Sequence, residues 1–337
     1  MKVMHIITKS EIGGAQTWVR DQIFLFENDY KHVLVTNKDG WLTQEVFELA
    51  TVHTINGIES FFSLFSFIKI FKIIFIESPD LIISSSANAG VIARVCSLFF
   101  KKTRVIYVSH GWSCIYNKSK FSKFFIFVER MLSYLTNVII CVSDKDYLDA
   151  QKIIGIKKEK LLVIKNAIFP RALSSYEHSN PLRVLFVGRL NYPKRPDLLL
   201  DSIVHNNNVL LDIVGDGTLD LDKYKSQSNV RFLGAISSFD KYHEYDIFAL
   251  ISDSEGLPMS ALEAASSGLP LILSDVGGCP ELISGNGLLV SNDVMSIKSA
   301  IDDISTNYSL FKRNAMSNVE LTNIYNAKHK YELVYEK

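Results

Sequence analysis

Ser254-Glu255-Gly256-Leu257-Pro258-Met259-Ser260-Ala261-Leu262-Glu263-Ala264-Ala265-Ser266-Ser267-Gly268 lies between two apolar runs, residues 246–251 and 269–273. Runs of that length read as strands, so the stretch is a loop feeding a helix that connects two strands of a parallel sheet. Pro258 belongs to the first turn of that helix and Gly268 marks its end. The amides of Gly256, Leu257, Met259 and Ser260 have no partners inside the helix, and with the helix dipole they form an anion site suited to a nucleotide diphosphate. Glu255 stands just outside the N-terminus. Glu263 follows Met259 by four residues, one turn down on the same face. One carboxylate can reach a sugar carried by the phosphate, the other a ribose. Glu263 is flanked by Leu262, Ala264 and Ala265, and a carboxylate in that setting needs a hydrogen-bonding partner if it is buried. The bland alternative is a pair of solvated glutamates around a Gly-Pro turn.

Working outward, 337 residues are enough for two domains of ordinary size. Thirty-six basic residues balance thirty-six acidic ones. That balance gives no global field and argues against a general nucleic-acid binder. Cys96, Cys114, Cys141 and Cys279 are dispersed without a C-x-x-C pair, which suggests neither a zinc site nor a disulfide framework and fits a reducing cytosol. The opening strand, residues 1–7, is interrupted too soon by Lys9 and Glu11 to be a secretory signal. It runs into Gly13-Gly14 and a helical segment over 17–28, the strand, glycine loop and helix of a first Rossmann-like βα turn. Strands at 32–37, 51–55, 81–85, 104–109 and 138–143 alternate with helical runs, as an open parallel sheet requires.

Two stretches bear on membranes. Residues 61–76 are the most hydrophobic of the chain, yet Lys69 and Lys72 interrupt them and they fall short of the roughly 20 residues that span a bilayer. They read as a crossover helix packed on the sheet or as a surface dipping into lipid. Over 117–135, Phe121, Phe124, Phe125, Val128, Met131, Leu132 and Leu135 keep helical spacing, while Lys118, Lys120, Lys123 and Arg130 supply positive charge and Phe127 adds to the flank. A basic, Phe-rich amphipathic helix suits an anionic membrane surface, here through Lys118, Lys120, Lys123, Phe124 and Phe127; it also suits an ordinary helix with a solvated basic side.

The pair Glu255 and Glu263, with the turn between them, resembles the E-x7-E signature of retaining glycosyltransferase family four. The resemblance implies an α/β fold of two facing Rossmann-like domains with parallel sheets, the type B glycosyltransferase fold, with the active site in the interdomain cleft. Gly188-Arg189-Leu190 followed by Lys194 matches the family's diphosphate-binding pair, and two cations beside one helix N-terminus are favourable when an anion joins them. His110 ends a strand at the edge where open α/β sheets bind ligands, and 109–112 resembles the segment from which the family's histidine reaches the donor sugar. In the family the glycine-rich loop, here Gly13-Gly14, faces donor and acceptor. Gly277-Gly278-Cys279-Pro280-Glu281 resembles a family turn. Ser84-Ser85-Ser86 and Asn88-Ala89-Gly90 depart from the family pattern of histidines and Lys-Ala-Gly.

These readings place an acceptor-binding domain over 1–172, a nucleotide-sugar domain over 182–307 and a helical segment over 308–337 crossing back to the first domain. They imply a retaining hexosyltransferase that moves a hexose or N-acetylhexosamine from a nucleotide sugar, UDP-linked by expectation, to a lipid-linked oligosaccharide of bacterial O-antigen or capsule. The catalytic assignment is His110 and Glu255. Donor binding falls to Gly13, Gly14, Arg189, Lys194, Gly256, Leu257, Pro258, Met259, Ser260 and Glu263. No cofactor and no metal are expected, because fixed cations and helix amides stabilise the leaving diphosphate. The expected location is the cytoplasm, peripheral on the inner face of the cell membrane. Two rivals stay open: a sugar-nucleotide epimerase of the same fold, and a non-catalytic sugar-nucleotide-binding subunit.

Overall fold

The computed structural model describes residues 1–59, 63–116, 121–175 and 177–336. The chain divides into two units, Met1–Lys165 with Ala327–Lys337, and Asn166–Asn326.

The first unit alternates β1 (Lys2–Ile6), α1 (Gly14–Leu25), β2 (Lys31–Thr36), α2 (Trp41–Val46), β3 (Ala50–Thr54), α3 (Leu64–Glu77), β4 (Leu81–Ser84), α4 (Ala87–Cys96), β5 (Arg104–Ser109), α5 (Ser113–Tyr116), α6 (Ser122–Ser133), β6 (Val138–Cys141), α7 (Asp144–Asp149) and β7 (Leu161–Val163). Among the described residues the sheet has the order β3-β2-β1-β4-β5-β6-β7, all parallel. Its central strands are buried on both faces, which is why they read as continuous apolar runs rather than alternating ones. α1 starts three residues before the expected 17: Gly13 is extended at the N-cap and its carbonyl accepts from Thr17 N at 2.9 Å. Ser86 explains one departure from the family pattern. Its hydroxyl accepts from Thr8 N at 3.0 Å and ties the loop after β4 to the loop after β1.

The second unit runs β8 (Leu182–Val187), α8 (Pro196–Ile203), β9 (Val209–Val214), β10 (Val230–Gly234), β11 (Ile247–Leu250), α9 (Met259–Ser266), β12 (Leu271–Ser274), β13 (Gly287–Val290), α10 (Val294–Thr306) and α11 (Tyr308–Asn318). Its parallel sheet has the order β10-β9-β8-β11-β12-β13 among the described residues. Each unit is thus a Rossmann-like layer of sheet with its own core.

Residues 166–175, read as the end of the first domain and the start of a linker, lie with the second unit. Ile168 pairs with Asn323, and Ser174 N donates to Ser267 O at 2.9 Å. The last helix, α12 (Tyr325–Tyr335), joins the first unit only from Ala327, so α11 stays with the second. Aromatic burial holds α12 there: Trp18 Nε1 donates to Tyr331 Oη at 3.2 Å and Tyr335 Oη to Gln22 Oε1 at 2.8 Å.

α3 is less buried than a crossover helix packed on the sheet would be. Ser66, Ile70 and Ile74 alone of its residues are buried, a stripe one turn apart. In the 117–135 segment, α6 covers Ser122–Ser133; Lys118 and Lys120 lie outside the described residues.

Candidate functional site

In the second unit the chain leaves β8 toward β9 and β10 on one side, and from β11 toward β12 and β13 on the other. The loops after β8 and β11 therefore diverge at a topological switch point, where open parallel sheets hold ligands. The loop after β8 carries Arg189. It is backed by the Gly215-Asp216-Gly217 turn: a Cβ on Gly215 would lie 1.9 Å from Gly188 O, and one on Gly217 2.2 Å from Leu190 O. Leu190 N donates to Asp216 O at 2.8 Å. Arg189 itself is exposed and makes no ion pair among the described residues.

The Lys194 loop is stitched to the strand end after β11. Arg195 N donates to Ile251 O at 2.9 Å, Asp253 N to Pro193 O at 2.8 Å and Ser252 Oγ to Pro193 O at 3.1 Å. That stitching sets Lys194 Nζ in direct contact with Glu255 Oε1, with both side chains largely buried. From the other side, Gly277 has φ +55°, and a Cβ there would sit 1.8 Å from Glu255 O. Gly278 N donates to Gly256 O at 2.8 Å. The Gly-Gly turn thus fixes the backbone of the Glu255 loop. Burial pushes the neighbouring Cys279 thiol up to about 12, so it stays a thiol at neutral pH.

Pro258 is the N-cap of α9, at φ −70° and ψ 122°, rather than a residue of its first turn. α9 begins at Met259, and the amides of Gly256, Leu257, Met259 and Ser260 reach no acceptor among the described residues. Leu257 and Met259 are buried. Gly268 closes the helix with φ +69°, a left-handed position that favours glycine.

Glu263 has the partners its apolar flanks demanded. Arg171 Nη2 donates to Oε1 at 2.7 Å and Tyr242 Oη to Oε2 at 2.6 Å. Tyr242 is fully buried, and burial beside Glu263 raises its hydroxyl well above the usual range, so it remains a donor. Arg171 lies 5.2 Å from the Tyr242 ring centroid and also donates to Phe239 O at 3.2 Å. Lys312, with no exposure, donates to Gly268 O at 2.6 Å and to Ser174 Oγ, holding the C-terminal end of α9.

In the first unit His110 follows β5, with Trp18 of α1 edge-on at 5.5 Å between ring centroids. Its Nε2 is buried with no hydrogen-bond partner among the described residues, and burial lowers the imidazole to about 4, so it is neutral at pH 7. Gly13 and Gly14 open α1 on the loop after β1.

The fold thus gathers Lys194, Glu255, Gly256, Leu257, Pro258, Met259 and Ser260 at one switch point, with Arg189 on the adjacent loop and Glu263 one turn into α9. Gly13, Gly14 and His110 belong to the other unit. Arg171, Tyr242, Gly215, Gly217 and Trp18 escaped the sequence reading as site residues. For the glycines, the Gly-Asp-Gly turn was the available signal; Arg171 and Tyr242 sit in segments without periodicity.

Residues 12–171 match the family model described as Glycosyltransferase Family 4, and residues 181–307 the one described as Glycosyl transferases group 1. The chain is 46% identical over 319 residues to the O-antigen biosynthesis glycosyltransferase WbnH of Escherichia coli, covering 93% of each chain. It is 24% identical over 338 residues to the Escherichia coli UDP-Gal:alpha-D-GlcNAc-diphosphoundecaprenol alpha-1,3-galactosyltransferase, covering 91% of this chain and 86% of that one. The crystal structure of Anabaena Alr3699/HepE in complex with UDP and glucose superposes over 100% of both chains, with a TM-score of 0.84 at 18% identity.

Proposed function

The chain belongs to glycosyltransferase family four, and from that membership we propose that it is a retaining, metal-independent transferase of O-antigen or capsule synthesis. It moves a hexose or N-acetylhexosamine from a UDP-sugar to a lipid-linked oligosaccharide. The observation that carries this reading is the set of Lys194, Glu255 and the free α9 amides at the β8–β11 switch point, with Glu263 one turn further in.

Arg189, Lys194 and the amides from Gly256 to Ser260 hold the diphosphate and stabilise it as it leaves. Glu263 takes the ribose hydroxyls and Glu255 those of the donor sugar, while His110 orients that sugar and Gly13 and Gly14 let backbone approach the donor. The acceptor hydroxyl attacks the anomeric carbon on the face from which the diphosphate departs, and its proton passes to a leaving phosphate oxygen. The relatives support the choice of substrates: one is named for UDP-Gal and a diphosphoundecaprenol-linked acceptor, another for O-antigen synthesis.

Among the described residues no helix is long and apolar enough to cross a membrane. We assign the chain to the cytoplasmic face of the inner membrane through α6, where Lys123, Phe124 and Phe127 are exposed.

Thermal stabilisation by UDP-, GDP-, ADP- and CMP-sugars, beside Glu263→Ala, tests the donor site. A UDP-sugar should stabilise the native protein by roughly 2.7 kcal/mol at a hundredfold excess over its dissociation constant, and the variant far less. Isomerised sugar nucleotide in the absence of acceptor would replace this reading with an epimerase. Anomeric NMR of the product checks retention.

A further inference from the structure

The connections β3 to β4, β4 to β5 and β5 to β6 all step the same way along the first sheet, so right-handed crossovers bring α3, α4 and α6 onto one face. α4 lies between the other two, and the Phe71 ring of α3 packs at a tilt against Phe100 in the turn that follows α4, with centroids 4.8 Å apart. This face carries an unusual surface. On α3, Leu64, Phe65, Ile68, Phe75 and Ile76 are each more than half exposed, and so are Leu98 and Phe99 after α4 and Phe124 and Phe127 on α6. Lys69, Lys72, Lys101, Lys102 and Lys123 are interspersed among them, all exposed. Lys69 Nζ lies 4.2 Å from the centroid of the Phe65 ring. Over the three helices and the 97–102 turn the described residues hold two carboxylates, and neither is free: Glu77 meets Lys2 at 3.1 Å and His53 at 2.9 Å, and Glu129 meets Arg94 at 2.8 Å.

We propose that this face, with α3 as its principal contact, is the seat of the protein on an anionic bilayer. The inference deepens the membrane part of the function proposed above and rests on it, but moves the principal contact from α6 to α3. A chain with balanced total charge has placed exposed lysines and large exposed apolar side chains together here. A protein partner is a poor fit, because lysine is depleted from protein interfaces. Phenylalanines at acyl-chain depth with lysines reaching phosphate headgroups are what an interfacial helix presents.

The test is sedimentation of the full chain with vesicles of phosphatidylcholine alone or mixed with phosphatidylglycerol, at low and high salt. The variants are Phe65→Ser/Ile68→Ser/Phe75→Ser and Lys69→Glu/Lys72→Glu on α3, and Lys123→Glu/Phe124→Ser/Phe127→Ser on α6. All the side chains changed are exposed, and thermal melts check that each variant folds. The wild type should bind the anionic vesicles with salt sensitivity, and each α3 variant should bind them roughly tenfold or more weakly. If the α3 variants bind like wild type while the α6 variant does not, the inference fails and the membrane reading stands. If the wild type binds neither vesicle, the membrane reading fails and takes the inference with it. A dimer by light scattering that the α3 changes dissolve, with vesicle binding unaltered, would make the face a protein contact instead.

Discussion

Tyr242 donates its hydroxyl to Glu263 Oε2 at 2.6 Å while Arg171 donates to Oε1 at 2.7 Å, so that among the described residues each carboxylate oxygen accepts from one side chain and keeps a lone-pair direction unused. A carboxylate accepts about four hydrogen bonds, and the two that remain match a cis-diol. Tyr242→Phe should weaken UDP binding by roughly tenfold and erode the preference for UDP over 2′-deoxy-UDP, since hydrogen bonds to charged groups contribute about 1.5–3 kcal/mol. Calorimetric titration of both nucleotides into wild type, Tyr242→Phe and Glu263→Ala checks it. Undiminished discrimination in Tyr242→Phe, with discrimination lost in Glu263→Ala, would show that Glu263 needs no such support.

Lys194 and Glu255 face each other just ahead of α9, so removing the cation strips charge from the proposed diphosphate site and leaves Glu255 without its ion pair. Lys194→Ala should lower UDP affinity by roughly ten- to a hundredfold and leave uridine affinity nearly unchanged. An equal loss for uridine would place the effect on loop geometry rather than on the diphosphate. Gly277→Ala should act through the backbone instead, because its Cβ collides with Glu255 O at 1.8 Å. Transfer should then fall even with Lys194 and Glu255 intact, as single-turnover kinetics would report.

Three histidines held neutral by burial of their rings should make stability fall in acid. His110 is lowered to about 4 and His5 well below its ordinary value, both by burial, while His32 is lowered less. His5 Nε2 lies 3.4 Å from His32 Nδ1, whose other nitrogen donates to Phe26 O at 3.2 Å. Each ring is neutral when folded and gains a proton on unfolding, so stability holds above pH ~6.5 and falls as pH drops toward 4. For His110 alone the loss reaches on the order of 3 kcal/mol at pH 4. Urea melts across that range should be flatter for His110→Asn than for wild type; parallel curves would remove His110 from the account.

Arg94 is fully buried against Glu129, at 2.8 and 3.2 Å, and its Nε donates to Gly90 O at 2.8 Å. Arg94→Met alone leaves Glu129 buried without its cation and should cost about 3–5 kcal/mol in denaturant unfolding. Arg94→Met with Glu129→Leu should recover much of that. A double variant no more stable than the single one would mean that the Gly90 contact, not the ion pair, sets the cost.

The sequence alone determined the two parallel sheets, the family and the loop and helix that carry Glu255 and Glu263. Each is written locally: apolar runs buried on both faces mark the strands, Pro258 and Gly268 bound α9, and the helical repeat puts Glu263 one turn below Met259 on the same face, with Glu255 in the loop ahead of the helix. Tertiary structure decided what those residues touch. Lys194 meets Glu255 across 61 positions and Arg171 meets Glu263 across 92. Contacts at such separation leave no period or motif to read. It also decided how α3 is used. A helix apolar on nearly every side has no face to predict, and only the narrow stripe of Ser66, Ile70 and Ile74 against the core shows which side chains are left to solvent or lipid.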